Sequence, residues 1–381
     1  MNMNKILFLI QLPPPVHGAS IVNHTIQNSL EINKNIDAHY LNISPAKGMT
    51  DIGRFSAQKL FSTIGITIKA IRSYLSLRPD LVYITLSPHG LALYKDGLLA
   101  LFLKLLGAQV VFHLHGKGVE KNANASRVKR EVYKRIFKNV DIIHLSERLF
   151  FDVESVRDKN KVLLAVPNSV PSCPAFLTNT SDQKIRFIFL SNFMPSKGAD
   201  TLIRAAYLFP EELRTKFTLT LIGSPNDKAH YAEIKKLVAD SISGNIKLLD
   251  AKYGADKYEY LQNSDIFVLP TKNDCYPLSI LEAMSAGLAV ISTNEGAIPD
   301  IVEPGVTGEL LENCTPESLA EVMLRFIENP GHAKACGAAG LAKYNANYTT
   351  DRFEENLLAA LNKIASNTQK KGFDKTQRGN Q

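Results

Sequence analysis

The chain has 381 residues, of which 45% are hydrophobic and 21% charged, the composition of an ordinary globular protein with about two domains. Its four cysteines are widely spaced and form no paired metal-ligand pattern, which argues against a metal centre and favours a reduced, cytoplasmic setting. The longest apolar stretch, 97–114, is interrupted by Lys104, Gln109 and His113, which excludes a membrane-spanning helix.

The net charge of +7 is unevenly distributed along the chain. Residues 1–180 carry 22 Lys and Arg against 12 Asp and Glu, whereas residues 181–365 carry 18 against 24. The last stretch, 366–381, carries 4 against 1. A basic first half is expected to face anionic lipid or a phosphorylated acceptor, and nucleic acid is the other polyanion that would fit it.

Short apolar runs alternate with helical patterns from the beginning of the chain, as in an open α/β sheet. No signal-peptide cleavage site precedes Gln11, so the first run is interpreted as a buried strand. The runs are 6–10, 81–85, 110–115, 142–145 and 162–166, followed by 187–190, 217–222, 246–249, 266–269 and 289–292. The second set repeats the pattern of the first, which predicts two domains of similar architecture.

A polar stretch without periodicity, 177–184, separates the two sets of strands and predicts an interdomain linker. The expected divisions are a first Rossmann-like domain over 1–178, a second over 179–346, a C-terminal helix over 347–365 that packs back on the first domain, and a disordered tail over 366–381.

The segment 127–138 contains six cations, with Val128, Val132 and Ile136 spaced four residues apart. This spacing predicts an amphipathic basic helix. Two interpretations stay open: a solvated helix face on a globular domain, or a helix that docks on an anionic membrane.

The most informative segment, 267–287, reads as a strand, a loop with Asp274 and a helix with Glu282. At the start of that helix, after Pro277, the N–H groups of Leu278 and Ser279 are suited to a diphosphate. Carboxylates accept hydrogen bonds from vicinal diols, so Glu282 would bind ribose and Asp274 the hydroxyls of a sugar. The alternative is an ordinary helix start with two solvated acids.

This segment resembles the signature of the retaining glycosyltransferases of family four, in which two acids flank seven residues. Other stretches fit the same family in order over nearly the whole chain: 13–20, 112–116, 189–198 and 221–223. The resemblance implies the GT-B fold, with two facing Rossmann-like domains and a cleft between them. The first domain would bind the acceptor and the second the nucleotide sugar.

The resemblance also implies roles for single residues. Gly18 would leave room for a phosphate after the first strand, or serve only as a turn glycine. His115 ends a strand where open α/β sheets bind ligands and would contact the donor sugar, or be structural, whereas His113 is expected to pack. Lys197 would neutralise the leaving diphosphate, and Asn192, where the family usually has Arg, would hydrogen-bond it.

The expected catalytic residues are therefore His115, Lys197 and Asp274. The expected donor-binding residues are Gly18, Asn192, Lys197, Asp274, Pro277, Leu278, Ser279 and Glu282. No metal site and no cofactor are expected, because the chain has no Asp-x-Asp pair and the family does not usually need a divalent cation.

By the same resemblance, the function is retaining, metal-independent transfer of a hexosyl or N-acetylhexosaminyl group from a UDP or GDP sugar. The acceptor would be a glycan, free or linked to polyprenyl diphosphate, in surface polysaccharide, capsule or lipopolysaccharide synthesis. The setting would be cytoplasmic, with peripheral contact between the basic domain and the inner face of the plasma membrane, and without a nucleic-acid partner.

Two other functions stay open. One is a sugar-nucleotide epimerase, which uses no second substrate. The other is a non-catalytic nucleotide-sugar-binding protein with a degraded transferase site. Asp274, Ala19 and Asn192 motivate the second alternative, since each stands where the family usually has another residue: Glu, Gly and Arg, respectively.

Overall fold

The computed structural model describes residues 3–44, 57–174, 184–241 and 244–378. The chain separates into two compact units, Met1–Asn168 with Asp351–Gln381, and Ser169–Thr350. The sequence placed these divisions after residues 178 and 346. The structure places the first boundary ten residues earlier, after Asn168. The reason is that the segment after Asn168 is hydrogen-bonded to the second unit. Tyr344 Oη donates to the carbonyl of Val170 at 2.8 Å, and Tyr258 Oη donates to that of Pro171 at 3.3 Å.

The first unit is built on a parallel sheet with the strand order β2-β1-β3-β4-β5-β6. Its strands are β1 (Lys5–Ile10), β2 (Asp37–Asn42), β3 (Leu81–Leu86), β4 (Val110–Leu114), β5 (Val140–His144) and β6 (Leu163–Ala165). Its helices are α1 (Gly18–Asn28), α2 (Leu30–Asn35), α3 (Ala57–Leu77), α4 (Gly90–Leu105), α5 (Val119–Ala123), α6 (Arg127–Phe137) and α7 (Phe151–Glu154). Strands β1, β3, β4 and β5 are almost entirely buried and form the centre of the core.

The second unit repeats this plan with the order β12-β11-β10-β7-β8-β9, again parallel. Its strands are β7 (Ile185–Leu190), β8 (Phe217–Gly223), β9 (Ile246–Asp250), β10 (Ile266–Val268), β11 (Ala289–Thr293) and β12 (Gly308–Leu311). Its helices are α8 (Ala199–Tyr207), α9 (Lys228–Ala239), α10 (Gly254–Gln262), α11 (Leu278–Ser285), α12 (Ile298–Ile301), α13 (Pro316–Glu328) and α14 (Pro330–Asn347). Helix α15 (Thr350–Arg378) follows.

The apolar runs of the sequence correspond to strands in both units, so the prediction of two parallel α/β domains is confirmed. The strands that the sequence did not reveal are β2 and β12, at one edge of each sheet. Edge strands are buried on fewer sides, and β2 has the sequence Asp-Ala-His-Tyr-Leu-Asn without a continuous apolar run.

The C-terminal region departs from the predicted disordered tail, because α15 extends to Arg378 and includes residues 366–378. Its Lys and Gln residues have good helix propensity, and extending an existing helix needs no new nucleation. Residues from Asp351 onward group with the first unit, where Asn4 Nδ2 donates to Asn362 Oδ1 at 3.2 Å.

Helix α6 is the predicted basic amphipathic helix, but its apolar side packs on the core. Ile136 is buried and Val132 is half-buried against the core, which leaves Val128 as the exposed member of the predicted stripe. The apolar side of α6 is therefore not free to enter a membrane. Within the described ranges, no helix is long and apolar enough to cross a bilayer.

Candidate functional site

In the second unit, Lys197 and Asp274 form an ion pair, with 2.5 Å between Nζ and Oδ2. Both side chains are largely buried. Lys197 follows β7 and Asp274 follows β10. The two strands are neighbours in the sheet, although the two residues are 77 positions apart in sequence. The chain leaves β7 towards β8 and leaves β10 towards β11, in opposite directions across the sheet. The pair therefore lies at the switch point, where open α/β sheets bind ligands.

Two loops hold this pair in place. The carbonyl of Ser196 accepts hydrogen bonds from Lys272 N at 2.7 Å and from Thr271 Oγ1 at 3.1 Å. Gly198 has φ = 77°, and a Cβ at this position would lie 2.3 Å from the carbonyl oxygen of Pro270. Only glycine allows the turn after Lys197 to lie this close to the loop after β10.

A third loop supports Asp274 from the other side. Ala297 N donates to the carbonyl of Cys275 at 2.9 Å, and a Cβ on Gly296 would lie 2.5 Å from the carbonyl oxygen of Asp274. Gly296 therefore positions the Asp274 loop.

Helix α11 begins directly after this loop, at Leu278, and its N-cap residue Pro277 makes no side-chain cap. The first N–H groups of a helix have no partner inside the helix and carry partial positive charge. Leu278 and Ser279, the first two helical residues, are half-buried. The amino end of α11 thus presents N–H groups without partners inside the helix, at the position where the sequence predicts a diphosphate site.

Glu282 lies one turn into α11, is 8% exposed, and has a partner that the sequence did not reveal. Lys257 Nζ of α10 lies 2.7 Å from its Oε1. Burial raises the pKa of Glu282, and the charge and hydrogen bond of Lys257 oppose this rise. No sequence signal pointed to Lys257, because a lysine on an exposed-looking helix is common and its partner is 25 residues away.

Asn192 lies between β7 and the 3₁₀ turn Pro195–Lys197, and it is half-buried. Its carbonyl accepts a hydrogen bond from Met194 N at 2.8 Å, which holds the loop that leads to Lys197. The structure therefore places Asn192 on the same loop as Lys197, as the sequence order requires.

In the first unit, His115 directly follows β4 and both of its ring nitrogens are buried without a hydrogen-bond partner. Burial lowers the pKa of His115 to about 4, an effect that the neighbouring Asn168 side chain opposes and the nearby His17 reinforces. The His113 ring lies 4.1 Å from the His115 ring, centroid to centroid, and its Nδ1 bonds to Tyr83 Oη. His113 is buried, in agreement with its predicted packing role.

Gly18 is the first residue of α1, after β1. Its neighbour His17 caps this helix, since His17 Nδ1 accepts from Ser20 N at 3.3 Å and Ser20 Oγ accepts from His17 N at 2.9 Å. The sequence did not reveal this capping box, because the usual signal is Ser or Thr followed three positions later by Glu or Gln, and here the two residues are His and Ser. His17 lies near enough to His115, at the carboxyl edge of the first sheet, to contribute to its lowered pKa.

Asp152 of α7 fixes the loop that follows His115. Its carboxylate accepts hydrogen bonds from the backbone N–H groups of Gly118, Val119 and Glu120, at 2.9 to 3.1 Å. Asp152 is buried, and a carboxylate in this position satisfies amides that would otherwise lack partners. No motif in the sequence marked this residue.

A cavity of 1020 Å³ in the first unit lies away from these residues. It is lined by residues that precede β4, β5 and β6, including Gln109, Asn139 and Val162. This is the amino edge of the sheet, opposite to His115. Ligands of open α/β sheets bind at the carboxyl edge, so the cavity is not assigned to the candidate site.

Residues 176–343 match the model of the family described as Glycosyl transferases group 1. The matched segment covers less than half of the chain and contains Lys197, Asp274 and Glu282. A GDP-mannose-dependent monoacylated alpha-(1-6)-phosphatidylinositol monomannoside mannosyltransferase of Corynebacterium glutamicum is 30% identical over 180 residues, which are 45% of each chain. The amylovoran biosynthesis glycosyltransferase AmsK of Erwinia amylovora is 23% identical over 287 residues, 69% of this chain and 66% of the relative.

A lipopolysaccharide core biosynthesis mannosyltransferase, LpcC of Rhizobium leguminosarum bv. viciae, is 27% identical over 171 residues, 44% of this chain and 48% of the relative. The chain thus aligns with between about a third and two thirds of the length of these curated relatives and others like them.

Solved structures share the fold over nearly the full length. A glycosyltransferase from Rickettsia africae ESF-5 superposes with a TM-score of 0.73 at 15% identity, covering 96% of this chain and 99% of the other. Anabaena Alr3699/HepE in complex with UDP-glucose gives a TM-score of 0.71 at 16% identity, covering 94% and 99%. The fold is therefore that of the GT-B glycosyltransferases, as the sequence predicted.

Proposed function

We propose that this protein is a glycosyltransferase that moves a sugar from a nucleotide diphosphate donor to an acceptor hydroxyl. The observation that carries the proposal is the joint placement of the Lys197–Asp274 pair and the uncapped amino end of α11 at the switch point of the second sheet. A cation and free backbone N–H groups can bind the diphosphate of a nucleotide sugar, and an acid can bind its sugar hydroxyls.

The donor would bind with its diphosphate on the first N–H groups of α11, at Leu278 and Ser279, and with Lys197 beside it. Glu282, within the helix, would accept both ribose hydroxyls. Asp274 would accept hydrogen bonds from hydroxyls of the donor sugar, and Asn192 would donate to a phosphate oxygen. Gly18, at the start of α1, would leave space for a phosphate.

In the reaction, the bond between the anomeric carbon and the diphosphate oxygen breaks while the acceptor oxygen bonds to that carbon. The acceptor proton passes to the departing diphosphate, and attack on the same face retains the configuration. Lys197 and the helix amides stabilise the negative charge that develops on the leaving group. We propose that this fixed cation replaces a divalent metal.

His115 is proposed to contact the donor sugar. Its lowered pKa, about 4, keeps the imidazole neutral at pH 7. A neutral ring has one N–H donor and one acceptor, and both of its nitrogens lack partners within the chain. It would therefore serve as a hydrogen-bonding group for hydroxyls and not as a cation.

The transferred group is proposed to be a hexosyl or N-acetylhexosaminyl unit from a UDP or GDP sugar. The acceptor is proposed to be a glycan, free or on polyprenyl diphosphate, in surface polysaccharide synthesis on the cytoplasmic side. The names of AmsK and LpcC, which act in amylovoran and lipopolysaccharide core biosynthesis, support this role.

Donor binding is tested by the thermal unfolding of the purified protein with UDP, GDP, ADP or CMP, each in EDTA. We expect one nucleotide to stabilise the protein by about 2.7 kcal/mol at 100 times its Kd. A Glu282→Gln variant, which keeps the shape of the side chain, should lose most of this gain. If no nucleotide shifts the midpoint, the proposed donor site is wrong.

Turnover separates the transferase from a non-catalytic binding protein and from an epimerase. With the matching nucleotide sugar in EDTA, we expect nucleotide diphosphate release that depends on an added acceptor. Lys197→Ala should lower kcat by about 10² to 10³ with a smaller change in donor KM, since one stabilising group for the leaving charge is removed. Donor binding without acceptor-dependent release would favour the binding protein instead.

A further inference from the structure

Helix α4 of the first unit has an exposed face that is apolar throughout. The exposed residues on this face recur at helical spacing: Leu91, Tyr94, Leu98, Phe102 and Leu105. Leu105 is 83% exposed. A surface helix normally turns charged and polar residues to solvent, and a helix that is apolar all round is normally covered.

The charged residues of α4 are directed to the protein instead of the solvent. Asp96 is fully buried beside Lys95, with 2.5 Å between the charged atoms, and Lys95 Nζ also donates to the carbonyl of Ile43 at 3.0 Å. Lys104 Nζ donates to the carbonyls of Ile136 and Lys138, at 2.7 and 2.9 Å, at the carboxyl end of α6. The polar groups of this helix thus stabilise the unit, and its outer face is left apolar.

The neighbouring helix α3 continues the same surface. Its exposed large apolar residues are Phe61, Ile64, Ile68 and Leu75, again at spacings of three, four and seven. Helix α4 packs between α3 and α6, and the strand connections that contain these three helices run in the same direction across the sheet. Right-handed crossovers therefore place the three helices on one face of the sheet.

Cations flank this apolar face. Arg72 and Lys69 are exposed on α3, and α6 adds five exposed cations, namely Arg127, Lys129, Arg130, Lys134 and Arg135. Among the described side chains of the three helices, the carboxylates are Asp96, which is buried, and Glu131, which pairs with Lys134 at 3.5 Å. A wide apolar surface edged with positive charge and nearly free of negative charge matches an anionic bilayer, with acyl chains below and phosphates above.

We propose that the exposed face of α3 and α4, edged by the cations of α6, docks this protein on an anionic lipid bilayer. Leu91, Tyr94, Leu98, Phe102 and Leu105 enter the boundary between headgroups and acyl chains, together with Phe61, Ile64, Ile68 and Leu75. The cations of α6 lie at the level of the lipid phosphates. The surface is different from the apolar side of α6 that the sequence suggested, and its function does not depend on the donor site.

The apolar part is tested by co-sedimentation with vesicles of phosphatidylcholine containing 30% phosphatidylglycerol. A double variant, Leu98→Glu with Phe102→Glu, changes two exposed residues and should weaken binding by about a hundredfold, since two large apolar contacts are lost. The matched control is Leu30→Glu on α2, which replaces a leucine that is 87% exposed and lies outside this face. It should bind as the wild type does, and thermal melts check that all three proteins are folded.

The charged part is tested with the triple variant Lys129→Gln, Arg130→Gln and Lys134→Gln. We expect about a hundredfold weaker binding to the anionic vesicles, since each cation near such a surface contributes about fivefold. Raising the salt concentration should weaken the binding of the wild type in the same way. Equal binding to pure phosphatidylcholine vesicles would overturn the assignment to anionic lipid.

Two further results would overturn the proposal. One is a wild type that binds neither kind of vesicle. The other is a stable dimer in sedimentation velocity that Leu98→Glu with Phe102→Glu dissociates, because the face would then be covered by a second copy of the chain. Since no nucleotide is present in these assays, either result leaves the proposed transferase reaction untouched, and the thermal-shift test of the donor site stays independent.

Discussion

Both acids of the candidate donor site have a lysine partner within the chain. Asp274 pairs with Lys197 at 2.5 Å, and Glu282 pairs with Lys257 at 2.7 Å. Because the second acid is buried, its carboxylate needs a counter-charge while no ribose is bound. We therefore interpret Lys257 as a positioning residue that keeps Glu282 ionised and ready to accept hydroxyl donors.

Replacement of Lys257 tests this interpretation at the residue scale. Lys257→Met leaves a buried carboxylate without a partner, so we expect a loss of about 3 to 5 kcal/mol in the free energy of unfolding, or a neutral Glu282. The donor KM should rise while kcat changes little, because the leaving group is stabilised elsewhere. Denaturant melts and steady-state kinetics measure the two effects.

The control is a double variant, Lys257→Met with Glu282→Gln, in which the uncompensated charge is also removed. Most of the lost stability should return, while donor binding should stay weak. If the double variant is as unstable as Lys257→Met, the lysine acts by packing and the charge argument fails.

At the scale of elements, the candidate site of the second unit is held together by close contacts between its loops. The turn at Gly198 touches the loop after β10, and the turn at Gly296 touches the loop of Asp274. In both cases a Cβ would meet a carbonyl oxygen, so the short distances depend on glycine as much as on the strands.

A Gly198→Ala variant shows how much this contact contributes. The added methyl group would meet Pro270 O at 2.3 Å with φ at 77°, so we expect about 3 kcal/mol or more of destabilisation and a large loss of turnover. The matched control is Gly305→Ala, where φ is 75° and nothing lies within 4 Å of the added Cβ. It should show only the backbone cost of about 1 kcal/mol, and similar losses in both variants would show that the contact is unimportant.

At the scale of the whole molecule, the first unit contains a cluster of buried histidines at the carboxyl edge of its sheet. Burial lowers the pKa of His115 to about 4 and that of His144 to about 3. Burial also lowers the pKa of His113. Folding therefore requires these rings to be neutral.

This requirement predicts the pH dependence of stability. The unfolded chain binds more protons below about pH 6.5, so stability should be complete above that pH and fall as the pH drops towards 4. Each such histidine contributes a slope of up to about 1.4 kcal/mol per pH unit. Denaturant melts between pH 7.5 and 4.5 should show a shallower slope for His144→Asn than for the wild type.

The matched control for this series is His24→Asn on α1, where the histidine is exposed. Its slope should equal that of the wild type. If His144→Asn leaves the slope unchanged as well, the buried histidines are not the groups that set the acid sensitivity of the unit.

The architecture of this protein could be predicted from the sequence, because buried parallel strands appear as short apolar runs. Ten such runs correspond to strands of the structure. The same reading missed β2 and β12, since edge strands are less apolar. It also predicted a disordered tail over residues where α15 continues to Arg378. A polar composition is typical of a solvated helix as well as of a disordered tail.

For the site, the sequence by itself determined the residue types and their order, with Lys197, Asp274 and Glu282 each next to a strand or helix that positions it. Only the tertiary structure decided the pairs, because Lys257 and Lys197 meet their acids across elements that are distant in sequence. It also decided that the apolar side of α6 packs on the core while α4 keeps a second, outer apolar face exposed. Both patterns are apolar at helical spacing, and periodicity shows that a helix has an apolar face without showing what covers it.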